Sequence, residues 1–207
     1  VNPAERAAPP SRERAAFDWY VEPRWAVDAL FDAHPLAGCV GDPACGMGTI
    51  PEVARARGHD VVACDLVDRG YAHLTAKADF LTDPSPFEGC ANIICNPPYS
   101  YVPGIAEAFV RQAFRLCPVT VAVLVPVRWL ASEMRFRLFN HHTPSAIYHF
   151  SKRPSMPPGH LIAELGDRAF KRGKTDYCWI VWERGPRGEY RGAATSMWIG
   201  PDSGAGR

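Results

Sequence analysis

Four consecutive residues, Asn96-Pro97-Pro98-Tyr99, carry the sharpest chemical signal in this chain. Two successive prolines fix the backbone and remove two amide donors, so the carbonyls of this turn are left as acceptors. Together with the Asn96 side-chain oxygen, one such carbonyl can accept both hydrogens of a planar NH2 group. Tyr99 adds a flat face on which a base or an amide can stack. An exocyclic amine is a poor nucleophile because its lone pair is delocalised. Holding its hydrogens on acceptors favours a pyramidal nitrogen, directs the lone pair at an electrophilic methyl, and stabilises the positive charge that develops. No covalent enzyme intermediate and no strong general base is required.

A second group of residues suits a nucleoside. In Asp42-Pro43-Ala44-Cys45-Gly46-Met47-Gly48, the two glycines stand where backbone can pass close to a ligand with no Cβ in the way. Asp65 follows 17 residues after Gly48, where a carboxylate can accept both ribose hydroxyls, and Asp79 lies 14 residues further on. Asp79 can accept from an adenine amino group, and Phe80 offers its backbone amide or its ring. Singly, these residues read as a tight turn and solvated helix caps. Their order, each at the end of an expected strand, makes them a set. A dinucleotide fingerprint needs a third glycine, and Ile50-Pro51 leaves none, which favours a nucleoside without phosphates, such as S-adenosylmethionine.

The elements that must hold these residues follow from periodicity. A helix enters at Glu22-Pro23, carries Trp25, Val27, Leu30 and Phe31, and ends at His34-Pro35. The glycine turn leads into a helix from Pro51 to Arg57, closed by Gly58. Strands are expected at Asp60 to Asp65, Ala78 to Leu81, Ala91 to the double-proline turn, and Val119 to Val127, with a helix from Ile105 to Leu116 between the last two. Alternating βα units with strands apolar on both faces predict an α/β, mostly parallel, doubly wound sheet with helices on both faces. Ligands then bind beyond the carboxyl ends of the strands. The last third predicts a helix around Trp129 to Phe139, a sheet-edge strand from Ala146 to Phe150, a long loop from Ser151 and a strand from Asp176 to Glu183. Trp179 reads as core and Trp129 stands between core and surface. His141-His142 reads as loop, since adjacent residues cannot face one site from a helix or strand.

The chain has 207 residues, enough for one domain, with 47% hydrophobic and 22% charged residues. That balance disfavours disorder, collagen-like repeats and coiled coil. Residues 1–15 read as a flexible arm, 16–200 as a single domain and 201–207 as a frayed tail. The net charge of +1 hides an asymmetry: residues 1–127 hold 10 Lys/Arg against 15 Asp/Glu, and residues 128–191 hold 12 against 6. No apolar run reaches 18 residues, and the N-terminus lacks the apolar core of a signal peptide, so a cytoplasmic location with no membrane association is expected. Seven cysteines without a Cys-x-x-Cys pair suggest neither a disulfide framework nor a bound metal.

The combination DPACGMG, Asp65, Asp79 and NPPY resembles the amino-methyltransferases that use S-adenosylmethionine, most closely the adenine-N6 DNA methyltransferases. The resemblance spans residues 18–130 and implies the Rossmann-like class I methyltransferase fold. It implies that Asp42, Pro43, Ala44, Gly46 and Gly48 line the methionine part of the cofactor, that Asp65 with Leu66 holds the ribose end, and that Asp79 with Phe80 holds the cofactor adenine. Asn96 would meet both cofactor and target amine, with Pro97, Pro98 and Tyr99 completing the catalytic turn. Tyr20-Val21-Glu22-Pro23 loosely fits the family's N-terminal Tyr-x-x-Pro-like turn, which puts Tyr20 and Pro23 at the cofactor. The motif order leaves no inserted recognition domain, so residues 128–191 are left to face the substrate. Arg128, Trp129, Arg135, Lys152, Arg153, Lys171, Arg172 and Lys174 are the expected nucleic-acid contacts, and the loop Met156 to His160 is expected to border the pocket. DNA is favoured over RNA. The same chemistry on RNA bases or on protein glutamine is the alternative, and a non-catalytic nucleic-acid-binding subunit is a further one. A target base in duplex DNA must be flipped out to reach the turn. So short a chain predicts a relaxed target site, a single-stranded substrate, or a protein partner that supplies recognition.

Overall fold

The computed structural model describes residues 19–99, 102–116, 118–171 and 173–201. The expected arm at 1–15 and nearly all of the tail at 201–207 lie outside them. Pro23 caps α1 (Arg24–Ala33), which leads to β1 (Val40–Asp42), α2 (Thr49–Ala56), β2 (Val61–Asp65) and β3 (Ala76–Lys77). There follow β4 (Asn92–Cys95), α3 (Ile105–Arg115), β5 (Thr120–Pro126), α4 (Glu133–His141), β6 (Ala146–Phe150), α5 (Ile162–Leu165), β7 (Tyr177–Glu183) and β8 (Thr195–Ile199).

The strands form one sheet in the order β3-β2-β1-β4-β5-β7-β6-β8. The first five in that order are parallel to one another, β7 runs antiparallel to both β5 and β6, and β8 pairs parallel with β6. The two-residue period of a strand divides the core cleanly. Ile93 and Cys95, Val121, Val123 and Val125, and Cys178, Ile180 and Trp182 face one layer with Phe80, Phe109 and Leu138. Ile94, Ala122, Leu124, Trp179 and Val181 face the other, against Leu30, Ile50 and Val53 of α1 and α2. All seven residues of β5 are buried. Each large side chain so covered contributes about 1.5–3 kcal/mol relative to exposure. The two buried indoles remain hydrogen-bonded: Trp179 Nε1 donates to Ala26 O (2.9 Å) and Trp182 Nε1 to His142 O (2.8 Å).

Four expectations are corrected. The strand placed at Ala78 to Leu81 lies at Ala76–Lys77, because Asp79 Oδ1 accepts from Leu81 N (3.0 Å) and turns the chain off the sheet. Strand β6 is interior, since β8 covers it. β8 escapes the sequence reading because an edge strand with four of five residues exposed or half-exposed shows little apolar pattern. The helix expected from Trp129 is split into a 3-10 turn at Val127–Leu130 and α4, whose start is reset by Ser132 accepting from Arg135 N (3.2 Å). His141 is the last residue of α4 and His142 its C-cap, rather than a loop pair; the His142 ring packs 4.7 Å from Phe114. Trp179 is core as expected. Among the described residues, no helix is long and apolar enough to cross a membrane.

Candidate active site

The carboxyl ends of β1, β2 and β4 converge on a cavity of about 310 Å³. The turn after β1 supplies Pro43, Ala44 and Gly46 to its wall. Gly46 (φ 52) donates its N–H to Asp65 Oδ2 (2.9 Å), which ties this turn to the end of β2. Asp65 Oδ1 accepts from Val67 N (3.0 Å). Both carboxylate oxygens are thus anchored by backbone amides, and each keeps a lone pair for a ligand hydroxyl. Burial pushes the Asp65 carboxyl up, against the lowering effect of these amides and of Arg69.

Leu66, Asp79, Phe80, Asn96, Pro98 and Tyr20 also line the cavity, as the sequence leads one to expect. The Phe80 ring is packed against Phe87 and Phe109 at centroid distances of 5.4 and 5.3 Å, so its backbone rather than its ring serves the pocket. Asp42, Gly48 and Pro23 are not among the lining residues, and neither are Pro97 and Tyr99. Gly48 shapes the helix start instead. At φ 88 it caps α2, and a Cβ there would collide with the Tyr71 ring. Asp42 is fully buried; its Oδ1 accepts from Ala44 N (3.1 Å), and its Oδ2 has no partner among the described residues. Burial, then the nearby Glu22 carboxyl, holds Asp42 well above the usual carboxylate range.

The reactive turn is held from the N-terminal segment. Asn96 Nδ2 donates to Tyr20 O (2.9 Å) and to Glu22 Oε2 (2.8 Å), while Asn96 Oδ1 accepts from the Tyr99 hydroxyl. Glu22 is buried, which raises its carboxyl; hydrogen bonds from its own backbone, Asn96 and Thr49 work in the opposite direction. In sequence Glu22 shows only as part of a turn and its role is missed, because an acid one residue before a helix-capping proline looks like a solvated cap. Trp19 and Arg69 carry no sequence signal either. The Arg69 guanidinium lies 4.4 Å over the Trp19 ring, both line the cavity, and Trp19 Nε1 and Arg69 Nε are buried without partners among the described residues.

No protein-family model and no curated sequence matches this chain. Among solved structures, the chain resembles a protein studied for conversion of a disulfide bond into a thioacetal group during echinomycin biosynthesis (TM-score 0.53, 16% identity, covering 77% of this chain and 80% of that one). It also resembles a Pyrococcus horikoshii protein assigned as an RNA methyltransferase (TM-score 0.51, 15% identity, 75% and 80% covered). A geranyl diphosphate C-methyltransferase from Streptomyces coelicolor A3(2), crystallised with S-adenosyl-L-homocysteine, is similar at TM-score 0.50, with 17% identity and 77% and 75% covered. The fold is that of the Rossmann-like class I methyltransferases.

In this methyltransferase fold the residues expected to meet nucleic acid divide. Arg128, Lys152, Lys171 and Lys174 are exposed, and Lys152 lies 6.0 Å over the Trp25 ring. Arg135 is withdrawn: it is 8% exposed, paired with the buried Glu107, and stacked 3.7 Å over Trp129. Trp129 is itself buried beneath it, so neither is a surface contact. Arg153 is exposed but neutralised by Asp176, with Nε donating to Oδ1 at 2.6 Å. Arg172 lies outside the described residues. The loop Met156 to His160 borders the pocket indirectly: Val21 N donates to Pro157 O and Gly159 N to Trp19 O, each at 3.0 Å, and Tyr20 bridges Pro158. That pairing makes residues 19–21 a wall.

Proposed function

We propose that the chain is an S-adenosylmethionine-dependent N-methyltransferase acting on an exocyclic amine, N6 of adenine in DNA. One observation carries this reading: both Asn96 Nδ2 hydrogens are taken by Tyr20 O and Glu22, so the amide offers the ligand its oxygen alone. An acceptor so placed selects a substrate that donates an N–H.

The cavity suits the cofactor on grounds of its own residues. Gly46 brings bare backbone to the wall, Asp65 keeps lone pairs on both oxygens for a ribose diol, and the Asp42 oxygen that has no partner among the described residues forms, with Glu22, an acidic floor that a cationic ligand would compensate. Pro43 and Ala44 would flank the methionine portion, and Leu66, Asp79 and the Phe80 backbone the adenine. When bound, the cofactor supplies an electrophilic methyl on a sulfonium. Asn96 Oδ1 would accept one hydrogen of the target amine and the Pro97 carbonyl the other, which would leave the nitrogen lone pair free to form the new N–C bond while the C–S pair stays with the departing sulfur. The extra proton on nitrogen is then shed to solvent, and Asn96 Oδ1, which also accepts from the Tyr99 hydroxyl, keeps a second lone pair for the substrate. Tyr99 is proposed as the stacking face.

A nucleic-acid substrate, DNA or RNA alike, is supported by the exposed Arg128, Lys152, Lys171 and Lys174, which stand in a basic stretch beyond an acidic body. Such contacts give affinity with little sequence information, so the proposal includes a short or relaxed target, a single-stranded substrate, or a protein partner for recognition. A second reading, methylation of an RNA base, is favoured by the likeness to the Pyrococcus horikoshii protein. Incubation of the chain with methyl-labelled S-adenosylmethionine and separate DNA, RNA and protein pools decides between them. Label in N6-methyladenine of DNA is expected. Label confined to RNA or to protein glutamine reassigns the substrate, and no label in any pool refutes the reading.

A further inference from the structure

We infer that Glu22 is a positioning residue that locks the Asn96 side-chain amide with its oxygen toward the ligand. Asparagine carries a built-in ambiguity. Its oxygen and NH2 are nearly the same size, and a turn of the side chain exchanges an acceptor for two donors. A site that recognises an amine works only in one of the two orientations.

Here the surroundings decide. One Asn96 hydrogen meets Tyr20 O at 2.9 Å and the other meets Glu22 Oε2 at 2.8 Å. In the turned orientation, Oδ1 would face the Tyr20 carbonyl and the Glu22 carboxyl, while the NH2 would face the Tyr99 hydroxyl. Backbone alone supplies only one of the two restraints, so the second rests on the Glu22 side chain. That side chain is in turn fixed by burial at 6% exposure and by a hydrogen bond from Thr49, the first residue of α2. Glu22 itself precedes the α1 cap, so the orientation of Asn96 at the end of β4 is set jointly by the starts of α1 and α2. The acid therefore acts on the reaction through Asn96 and makes no bond with the methyl or the leaving sulfur.

The inference deepens the proposed amine transfer and rests on it for its kinetic consequence. Its test separates the two. The chain contains four asparagines, Asn2, Asn92, Asn96 and Asn140, so selective 15N-asparagine labelling gives a simple set of side-chain signals, with Asn96 identified by its loss in Asn96→Ser. In Glu22→Ala, exchange of the Asn96 side-chain protons with solvent is expected to speed up at least tenfold relative to wild type. Glu22→Gln, whose amide oxygen accepts the same hydrogen, is expected to restore slow exchange. With methyl-labelled cofactor at saturating concentration and an adenine-containing single-stranded oligonucleotide, kcat is expected to fall about ten- to a hundredfold in the alanine variant and recover in the glutamine variant. If the alanine variant does not fold, Glu22→Met, which fills the space without an acceptor, is expected to give the same pattern. Unchanged Asn96 exchange without the carboxyl overturns the inference, as does equal kcat in all variants of an active enzyme. A wild type inert on the oligonucleotide, with the exchange difference intact, refutes the amine substrate and supports the role of Glu22.

Discussion

In the proposed transfer Asn96 and Asp65 divide the work of the pocket, and substitutions should separate them. Asn96→Ala removes the acceptor for the amine while leaving Gly46 and Asp65 in place, so methyl transfer should fall by at least about a hundredfold with cofactor affinity by calorimetry nearly unchanged. Equal loss of both would make the turn a structural element only. Asp65→Ala should act in reverse, weakening cofactor binding by about tenfold or more through loss of a buried hydroxyl acceptor. Both residues are legible in the sequence because their chemistry is tied to local punctuation, a double proline and a strand end. Glu22, Trp19 and Arg69 are not, since their roles arise from packing between segments that are distant in the chain. Asp42, which the sequence puts in the wall of the cofactor site, lies instead beneath it, buried and with an orphaned oxygen among the described residues.

At the scale of elements, the start of α2 depends on Gly48 for two reasons, a φ of 88 and the Tyr71 ring above it. Gly48→Ala should destabilise the chain by about 1–3 kcal/mol. Tyr71→Ala in the same background should recover the part due to collision and leave the part due to backbone strain, a comparison that urea denaturation can make. The segment from Val127 to His141 illustrates why basic residues cannot be sorted from sequence. Arg135 reads as a phosphate contact, yet α4 turns it inward onto Glu107 and Trp129. Glu107→Ala, which leaves that guanidinium buried and unpaired, should cost about 3–5 kcal/mol in stability. A loss below about 1 kcal/mol would place Arg135 in solvent and return it to the binding surface. The parallel half of the sheet is legible because its strands are apolar on both faces. β8 is not, being half solvated, and without it β6 falls at the edge.

For the whole molecule, acidity below the pocket and exposed basic residues beyond β5 have separate consequences. Glu22, Asp42 and Asp65 all have carboxyls raised by burial, so each binds its proton more tightly in the folded chain than in the unfolded one. Their contribution is full below the unfolded value of about 4 and is lost as pH rises through the raised folded values. Asp42→Asn should therefore flatten the fall of the thermal midpoint with rising pH expected of the cofactor-free wild type; an unaltered pH profile would count against a buried acid at 42. On the basic side, Lys171→Glu with Lys174→Glu should weaken oligonucleotide binding and lower the slope of log affinity against log salt by about 1–2. A salt slope identical to wild type would remove these lysines from the interface.

The pairing of Tyr20 with Pro158 bears on the order in which the pocket is completed. Its glycine turn and three acids are contained in the first half of the chain, yet the wall at residues 19–21 is fastened by the loop that follows β6. During synthesis from the N-terminus, the early strands and helices can pair before that loop exists, and the nascent chain then has a cofactor cleft open on one side. That wall of the pocket is therefore completed only once the loop after β6 has been made and docked. A single proteolytic cut within the loop would loosen that wall without touching any residue that lines the cavity.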